Sequence, residues 1–206
     1  MRAPIIRLGL VLVVVLLSPA VVRAEQAGTV SRVQGLVTLG EKPGARNVSA
    51  GDQVQAGDVV ATGPGARVLI ILVDGTEVTL SGDTRFAVSE LDAASGKGRF
   101  DMTGGAFRMV TGLLERSVSR DFTVNTPLAT LGIRGTDFWA GYLENDGFYV
   151  YLASGHGVVV ENQAGRKVMN RPGDGITVPS KTVAPTTPRP WGRENIRRAM
   201  KTVSFD

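Results

Sequence analysis

The side chains that could perform chemistry are few, and the single histidine is the first to consider. His156 stands between Gly155 and Gly157, a sequence typical of an exposed turn, and the chain has no cysteine. A histidine without a second histidine or a cysteine rarely forms a metal site. No Gly-x-Ser-x-Gly segment is present to supply the serine of a triad. We therefore expect His156 to be exposed and to have no catalytic role.

Carboxylates and phosphate-binding loops are the other routes to catalysis. Two acids presented by strands need no sequence motif, so Asp101 and Asp137 are candidates for an acid–base pair only in that loose sense. Asp137 is more simply explained as a cap of its turn or as a partner of Arg134. The chain has neither a P-loop nor a glycine-rich dinucleotide motif. The sequence predicts no enzymatic activity, no cofactor and no metal.

Arg134 is the remaining unusual charge, because it directly follows the apolar run of residues 128–133. Burying a guanidinium is costly unless carbonyls or an acid hydrogen-bond to it. We expect a structural bracket between this arginine and a neighbouring strand, with a ligand contact as the alternative.

The segment that contains Arg134 has a clear order of strand and turn signals. Residues 122–126 alternate as in a strand, and Pro127 stops the ladder because it has no N–H to donate. We expect residues 128–133 to form a short buried crossing, after which Gly135 allows a turn. The next strand should begin at Phe138.

This segment resembles the signature of the FecR domain family. The motif residues, which we expect to be mainly structural, are Thr126, Pro127, Arg134, Gly135, Thr136 and Phe138, with Asp74 and Gly75 in an upstream half. The resemblance extends over residues 28–178. It implies a periplasmic β domain, and in the best-known members this domain relays a signal from an outer-membrane TonB-dependent receptor to a cytoplasmic sigma factor.

The resemblance implies a binding module, and three kinds of partner stay open. The first is an envelope protein, contacted in signalling or assembly. The second is a polysaccharide or peptidoglycan, for which an exposed aromatic row would be the discriminating feature. The third is a sigma-factor signalling system in which the chain acts with a separate membrane partner. The best-known members carry a cytoplasmic helical arm, and since only a leader precedes this β domain, we expect a stand-alone exported FecR-like protein.

Residues 1–24 have the pattern of a signal peptide. Arg2 and Arg7 precede an apolar run of 10 residues, Leu8–Leu17, and cleavage is predicted after Ala24. The alternative is a retained anchor, but the run is shorter than the ~20 residues a spanning helix needs. We therefore expect a periplasmic or otherwise exported protein that is not integral to the membrane after cleavage.

The charge balance argues against nucleic acid as a partner. Of the 23 basic residues, three lie in the predicted leader, which leaves 20 against 19 acidic residues. Such a balanced chain has no electrostatic footprint for nucleic acid. The absence of cysteine excludes disulfides, so stability must come from a hydrophobic core.

From residue 28 to residue 178 the sequence predicts a single all-β domain of many short strands. Glycine–aspartate turns recur about every ten residues, which favours a β-sandwich, a β-roll or a short β-solenoid. No helical period is convincing in this range, and we assign residues 113–119 to a loop. The predicted hairpin at Asp74-Gly75 can have a two-residue loop or a three-residue loop, 73–75, and the resemblance to the FecR pattern implies the three-residue loop. In either case the incoming strand should be central and buried on both faces. The predicted core comprises Val68, Ile70, Leu72, Val78, Leu80, Val124 and Ile133.

Residues 179–206 are predicted to form a proline-rich linker and a short tail helix. Three prolines fall within Thr182–Pro190, which indicates an extended linker. Ile196, Ala199, Met200 and Val203 share one helical face, and we expect this helix to dock on the sheet rather than to bind a partner.

Overall fold

The computed structural model describes residues 25–40, 44–111, 121–143 and 147–206. The predicted signal peptide and the loop assigned to residues 113–119 lie outside these residues. Cleavage after Ala24 therefore stays a prediction.

The described residues form β-strands and one C-terminal α-helix. The strands are β1 (Gln26–Gln34), β2 (Val37–Leu39), β3 (Arg46–Asn47), β4 (Gln53–Gln55), β5 (Val59–Thr62), β6 (Arg67–Leu72), β7 (Glu77–Leu80), β8 (Arg85–Asp92), β9 (Lys97–Thr103), β10 (Ala106–Val110), β11 (Asp121–Asn125), β12 (Thr130–Ile133), β13 (Thr136–Tyr142), β14 (Phe148–Gly155), β15 (Val158–Asn162), β16 (Gly165–Met169), β17 (Asp174–Val178) and β18 (Arg189–Pro190). The helix is α1 (Arg193–Val203).

The strands assemble into two nine-stranded sheets. Sheet I has the order β18-β17-β14-β13-β10-β7-β6-β1-β4, and sheet II has the order β16-β15-β12-β11-β9-β8-β5-β2-β3. Neighbouring strands are antiparallel except for the parallel pair β9 and β11. The prediction of an all-β domain is confirmed, and of the three architectures considered the chain adopts the sandwich-like one.

The core between the sheets is built from the inward-facing residues, which alternate with outward-facing residues along the strands. Every residue of the predicted core is buried, with 2% or less of its surface exposed. Aromatic rings continue this core across both sheets, since Phe86 of sheet II lies 5.8 Å from Phe107 of sheet I, centroid to centroid. Phe107 in turn packs edge-on against Phe138 at 5.4 Å. The Phe86–Phe107 contact joins the two sheets, and Phe138 extends it within sheet I.

The hairpin between β6 and β7 has the predicted register. Val68 pairs with Leu80 and Ile70 with Val78, which leaves residues 73–75 as a three-residue loop. Gly75 has a φ of +79°, the left-handed conformation that such a loop requires. Strand β6 is central, but the prediction that both its faces are buried is wrong. Ile71 is 40% exposed because it points to the outer face of sheet I.

The C-terminal segment packs against the sandwich. The proline-rich stretch runs along the edge of sheet I, where the Thr186 amide donates to the Thr177 carbonyl at 2.9 Å. Helix α1 then buries Ala199 and Val203 against the outer face of sheet I, as the helical period predicted. The indole Nε1 of Trp139 donates to Thr202 Oγ1 at 3.0 Å. The tail helix therefore docks on the sheet.

The described ranges contain no helix that is long and apolar enough to cross a membrane.

Candidate functional site

Thr126 and Pro127 form the turn that joins β11 to β12. The Thr126 hydroxyl donates to the Ala129 carbonyl at 2.8 Å and accepts the Ala129 amide at 3.0 Å. The chain reverses there, so β12 pairs with β11 as a hairpin. The predicted buried crossing of residues 128–133 is therefore wrong, because Thr130–Ile133 is a strand of sheet II. Residues 128–133 carry no turn signal other than the preceding Pro127. The turn that lets β12 pair with β11 is closed by the Thr126 hydroxyl.

Gly135 and Thr136 form the turn by which the chain passes from sheet II to sheet I. Gly135 has a φ of +57°, as the turn prediction requires. Thr136 is buried, and its hydroxyl lies 2.8 Å from the Arg134 carbonyl and 2.9 Å from the Gly157 carbonyl. Its amide donates to Thr111 Oγ1 at 2.7 Å. Thr136 thus satisfies backbone groups from several segments that would otherwise be buried without partners.

The upstream half of the motif is also built into the fold. Asp74 accepts the Thr76 amide at 3.0 Å and the Thr76 hydroxyl at 2.8 Å, which closes the loop ahead of β7. Phe138, at the downstream end of the motif, is fully buried. These residues support the turns and the core.

Asp137 does not pair with Arg134, contrary to expectation. Its two carboxylate oxygens accept hydrogen bonds from Arg108 Nε at 2.9 Å and Nη2 at 2.7 Å. This bidentate contact raises the pKa of Arg108, and partial burial acts in the opposite direction. The physical reason is topological. Asp137 belongs to sheet I and is opposite Val110 of β10, whereas Arg134 follows the last residue of β12 in sheet II.

Asp101 and Asp137 do not form an acid–base pair. Asp101 lies on β9 of sheet II, where it accepts the Asn125 side-chain amide at 3.0 Å and a hydrogen bond from the Ser89 hydroxyl. The two acids are therefore on different sheets. The portion of the chain that the structure describes also has no group of three potential metal ligands.

Arg134 is exposed, and it is the motif residue that the fold leaves free. Its guanidinium makes no hydrogen bond and no ion pair with any residue of the described ranges. The expected structural bracket to carbonyls or an acid is thus not found there. The Thr136 hydroxyl contacts the Arg134 carbonyl and Gly157 instead, so the turn does not need the arginine side chain.

Beside Arg134 lies a shallow concavity of about 470 Å³ on the outer face of sheet II, which we call the Arg134 concavity. Its floor is Gly132, which is opposite Thr123 on one side and Val159 on the other and has no side chain to fill the space. The residues that line it include Asp121, Thr130, Gly132, Arg134, His156, Glu161, Arg166 and Val168. It is open to solvent, and Val168 is 52% exposed.

The charges of the Arg134 concavity are mixed, with a free cation at one end. Glu161 and Arg166 form an ion pair at 3.8 Å in which both side chains are 61% exposed, so it contributes little to stability. At the other end, His156 is exposed as predicted, and its Nδ1 lies 3.3 Å from the Gly135 carbonyl. Glu161, Arg166 and Val168 were not predicted to lie here. The two-residue spacing of Arg166 and Val168, which places both on one face of a strand, was the available signal.

The aromatic residues do not form an exposed row. All twelve phenylalanine, tyrosine and tryptophan residues lie in the described ranges, and none of them is exposed. Trp139 is fully buried beneath α1, and Tyr151 stacks on Trp191 with ring centroids 5.1 Å apart. The described residues therefore lack an exposed aromatic row, because most of the phenylalanines lie in the core between the sheets and the tail covers Trp139 and Tyr151.

Comparisons with known proteins agree with the motif. Residues 58–156 match the family model for FecR protein. Two crystal structures of a "putative anti-sigma factor" from Parabacteroides distasonis ATCC 8503, at 1.65 and 2.50 Å resolution, share the fold with TM-scores of 0.55 and 0.54. Each is 19% identical over 68% of this chain, which covers 62% of the other chain's length. No curated protein matches the sequence significantly.

Proposed function

We propose that this chain, which carries a FecR domain over residues 58–156, is an exported, non-enzymatic module that binds a partner protein in envelope signalling. The contact surface in this proposal is the Arg134 concavity. The family match supports a signalling role. The export rests on the leader pattern of residues 1–24.

The observation that carries the proposal is the free guanidinium of Arg134. The other motif side chains close turns, satisfy buried backbone groups or fill the core, whereas the Arg134 side chain makes no hydrogen bond or ion pair with a described residue. A planar guanidinium at the rim of an open concavity offers donors that fit a carboxylate in bidentate fashion. The partner surface should therefore present an acidic residue opposite Arg134.

A narrower version of the proposal places the chain in a sigma-factor signalling system, acting with a separate membrane partner and a TonB-dependent receptor. The family resemblance and the fold shared with the "putative anti-sigma factor" favour this version. Deleting the gene should then change transcription from a sigma-dependent promoter in the same cell. Unaltered transcription from such promoters would contradict this version. It would not contradict the broader proposal that the chain binds a partner protein.

The binding surface can be tested by crosslinking in intact cells. A photo-crosslinking amino acid at position 156, beside Gly135, should capture the same partner reproducibly. The Arg134→Glu change should abolish this capture because it places a carboxylate against the partner's acid. The protein should stay folded, since the side chain is exposed.

Arg99→Glu is the matched control. Arg99 also lies on sheet II, its side chain is 60% exposed, and it pairs with Glu90 at 3.1 Å. Capture should persist in this variant although the charge change is identical. Equal capture by wild-type protein and the Arg134→Glu variant, or no capture by either protein, would refute the proposal.

A further inference from the structure

The four sheet edges are unequal, and β16 is the longest of them. The other three edges are β3 with two residues, β4 with three, and β18 with two residues that include Pro190. Short strands and proline protect an edge from pairing with another chain. β16 has five residues, and its second side has no strand partner.

The hydrogen-bonding groups on the open side of β16 can be assigned from its register. Asn162 pairs with Gly165 across a two-residue loop, so Gly165, Lys167 and Met169 exchange bonds with β15. The amides and carbonyls of Arg166 and Val168 alternate with these and point away from the sheet. Within the described residues no backbone hydrogen bond joins them to any other segment.

The open edge of β16 borders the Arg134 concavity. Arg166 and Val168 are opposite Glu161 and Val159 of β15, and all four line that concavity. A strand added to β16 would therefore continue the outer face on which Arg134 lies two strands away. The free strand edge and the free guanidinium belong to one continuous surface.

The charge of this edge indicates what it binds. Residues 165–173 contain Arg166, Lys167 and Arg171 and no acidic residue. Arg171 is exposed and Lys167 is partly buried, and neither forms an ion pair with the described residues. A second copy of the chain would bring like charges together along the seam, which disfavours self-pairing. A segment that alternates acidic and apolar residues can place its carboxylates beside Arg166 on the outer face, which also carries Arg134, and its apolar side chains beside Met169 on the other face.

We propose that β16 is a strand-addition site, at which an extended acidic segment of the partner protein pairs with the Arg166 and Val168 backbone and reaches toward Arg134. This inference rests on the proposed function and specifies the binding mode. The competing interpretation is that the basic residues only prevent edge pairing.

The first experiment uses synthetic peptides of alternating valine and glutamate, with a valine–lysine peptide as the matched control. On the folded, ¹⁵N-labelled protein, the acidic peptide should slow amide hydrogen exchange at Arg166 and Val168 by about tenfold or more, as expected for newly formed backbone hydrogen bonds. The lysine peptide should have no such effect. Absence of binding, equal binding of both peptides, or binding without protection of these two amides would overturn the proposal. Concentration-dependent pairing of two copies through β16 would also overturn it.

The second experiment separates the backbone from the side chain of Val168. Val168→Pro removes an N–H that points away from β15, so an edge strand can accept it, whereas Val168→Thr keeps the N–H and the branched shape. Peptide affinity should fall by about tenfold or more in the proline variant and by less than about threefold in the threonine variant. If the proline variant fails to fold, the exchange measurement on wild-type protein still decides.

The two proposals fail in different ways. In cells, capture that depends on Arg134 but is unchanged by Val168→Pro would retain the partner-binding function and refute strand addition. Capture that does not depend on Arg134 would refute the proposed function.

Discussion

The Thr136 hydroxyl offers the sharpest test of how the turn between the two sheets is held. Thr136→Val keeps the shape of the side chain and removes only the hydroxyl. The buried Gly157 amide and carbonyl, which lie 3.3 and 2.9 Å from that hydroxyl, then lose a hydrogen-bonding partner. Each unsatisfied buried group costs about 1–3 kcal/mol, so we expect a loss of roughly 2–4 kcal/mol in the free energy of unfolding.

Thr136→Ser is the matched control, because it keeps the hydroxyl and removes one methyl group. Burial of a methyl contributes about 0.8 kcal/mol, so the serine variant should be clearly more stable than the valine variant. Urea unfolding followed by circular dichroism measures both, with a midpoint about 1–2 M lower for Thr136→Val at an unchanged slope. A valine variant as stable as wild-type protein, or less affected than the serine variant, would refute the assigned role of the hydroxyl.

Three further predictions concern the core, the tail and the leader. Leu80→Ala should lower the free energy of unfolding by about 2–5 kcal/mol, because Leu80 is fully buried, and an unchanged urea midpoint would contradict its inward placement. Deletion of residues 182–206 should leave a β domain that is folded by circular dichroism. Trp139, the one tryptophan left after Trp191 is removed, should show red-shifted emission because it loses its cover. An insoluble product would show that the tail completes the core. Mass spectrometry of the protein from the cell envelope should find Glu25 at the N-terminus, and an intact Met1 would contradict cleavage after Ala24.

Local patterns in the sequence predicted much of the elements whose partners are close in the chain. The alternation of Thr76, Val78 and Leu80 gave the inward face of β7, whereas the register of β6 came from the resemblance to the FecR pattern, because β6 is apolar at every position from 68 to 72. The docked face of α1 followed in the same way from its helical period. In both cases the periodic pattern and the turn residue lie within about a dozen positions of each other.

Features that depend on distant pairing could not be predicted. The sequence did not indicate that β9 and β11 are parallel neighbours, nor that β12 and β13, which are consecutive strands, belong to different sheets. For that reason the sequence indicated a turn cap or Arg134 as the role of Asp137, and not its pairing with Arg108. The burial of Trp139 and Tyr151 could not be predicted for the same reason, since Trp191 and α1, which cover them, lie far along the chain.

The change of sheet between β12 and β13 also explains why one short motif serves both the fold and the proposed binding. Gly135 and Thr136 complete the turn through backbone and hydroxyl contacts, so the side chain of Arg134 is left outside it. Stability and binding should therefore respond to different substitutions. Thr136→Val should lower the urea midpoint while folded protein keeps its affinity for the acidic peptide, and Arg134→Glu should weaken that affinity at an unchanged midpoint. If either substitution changed both quantities together, the turn and the binding surface would be one energetic unit, and the division of roles proposed for Arg134 and Thr136 would be wrong.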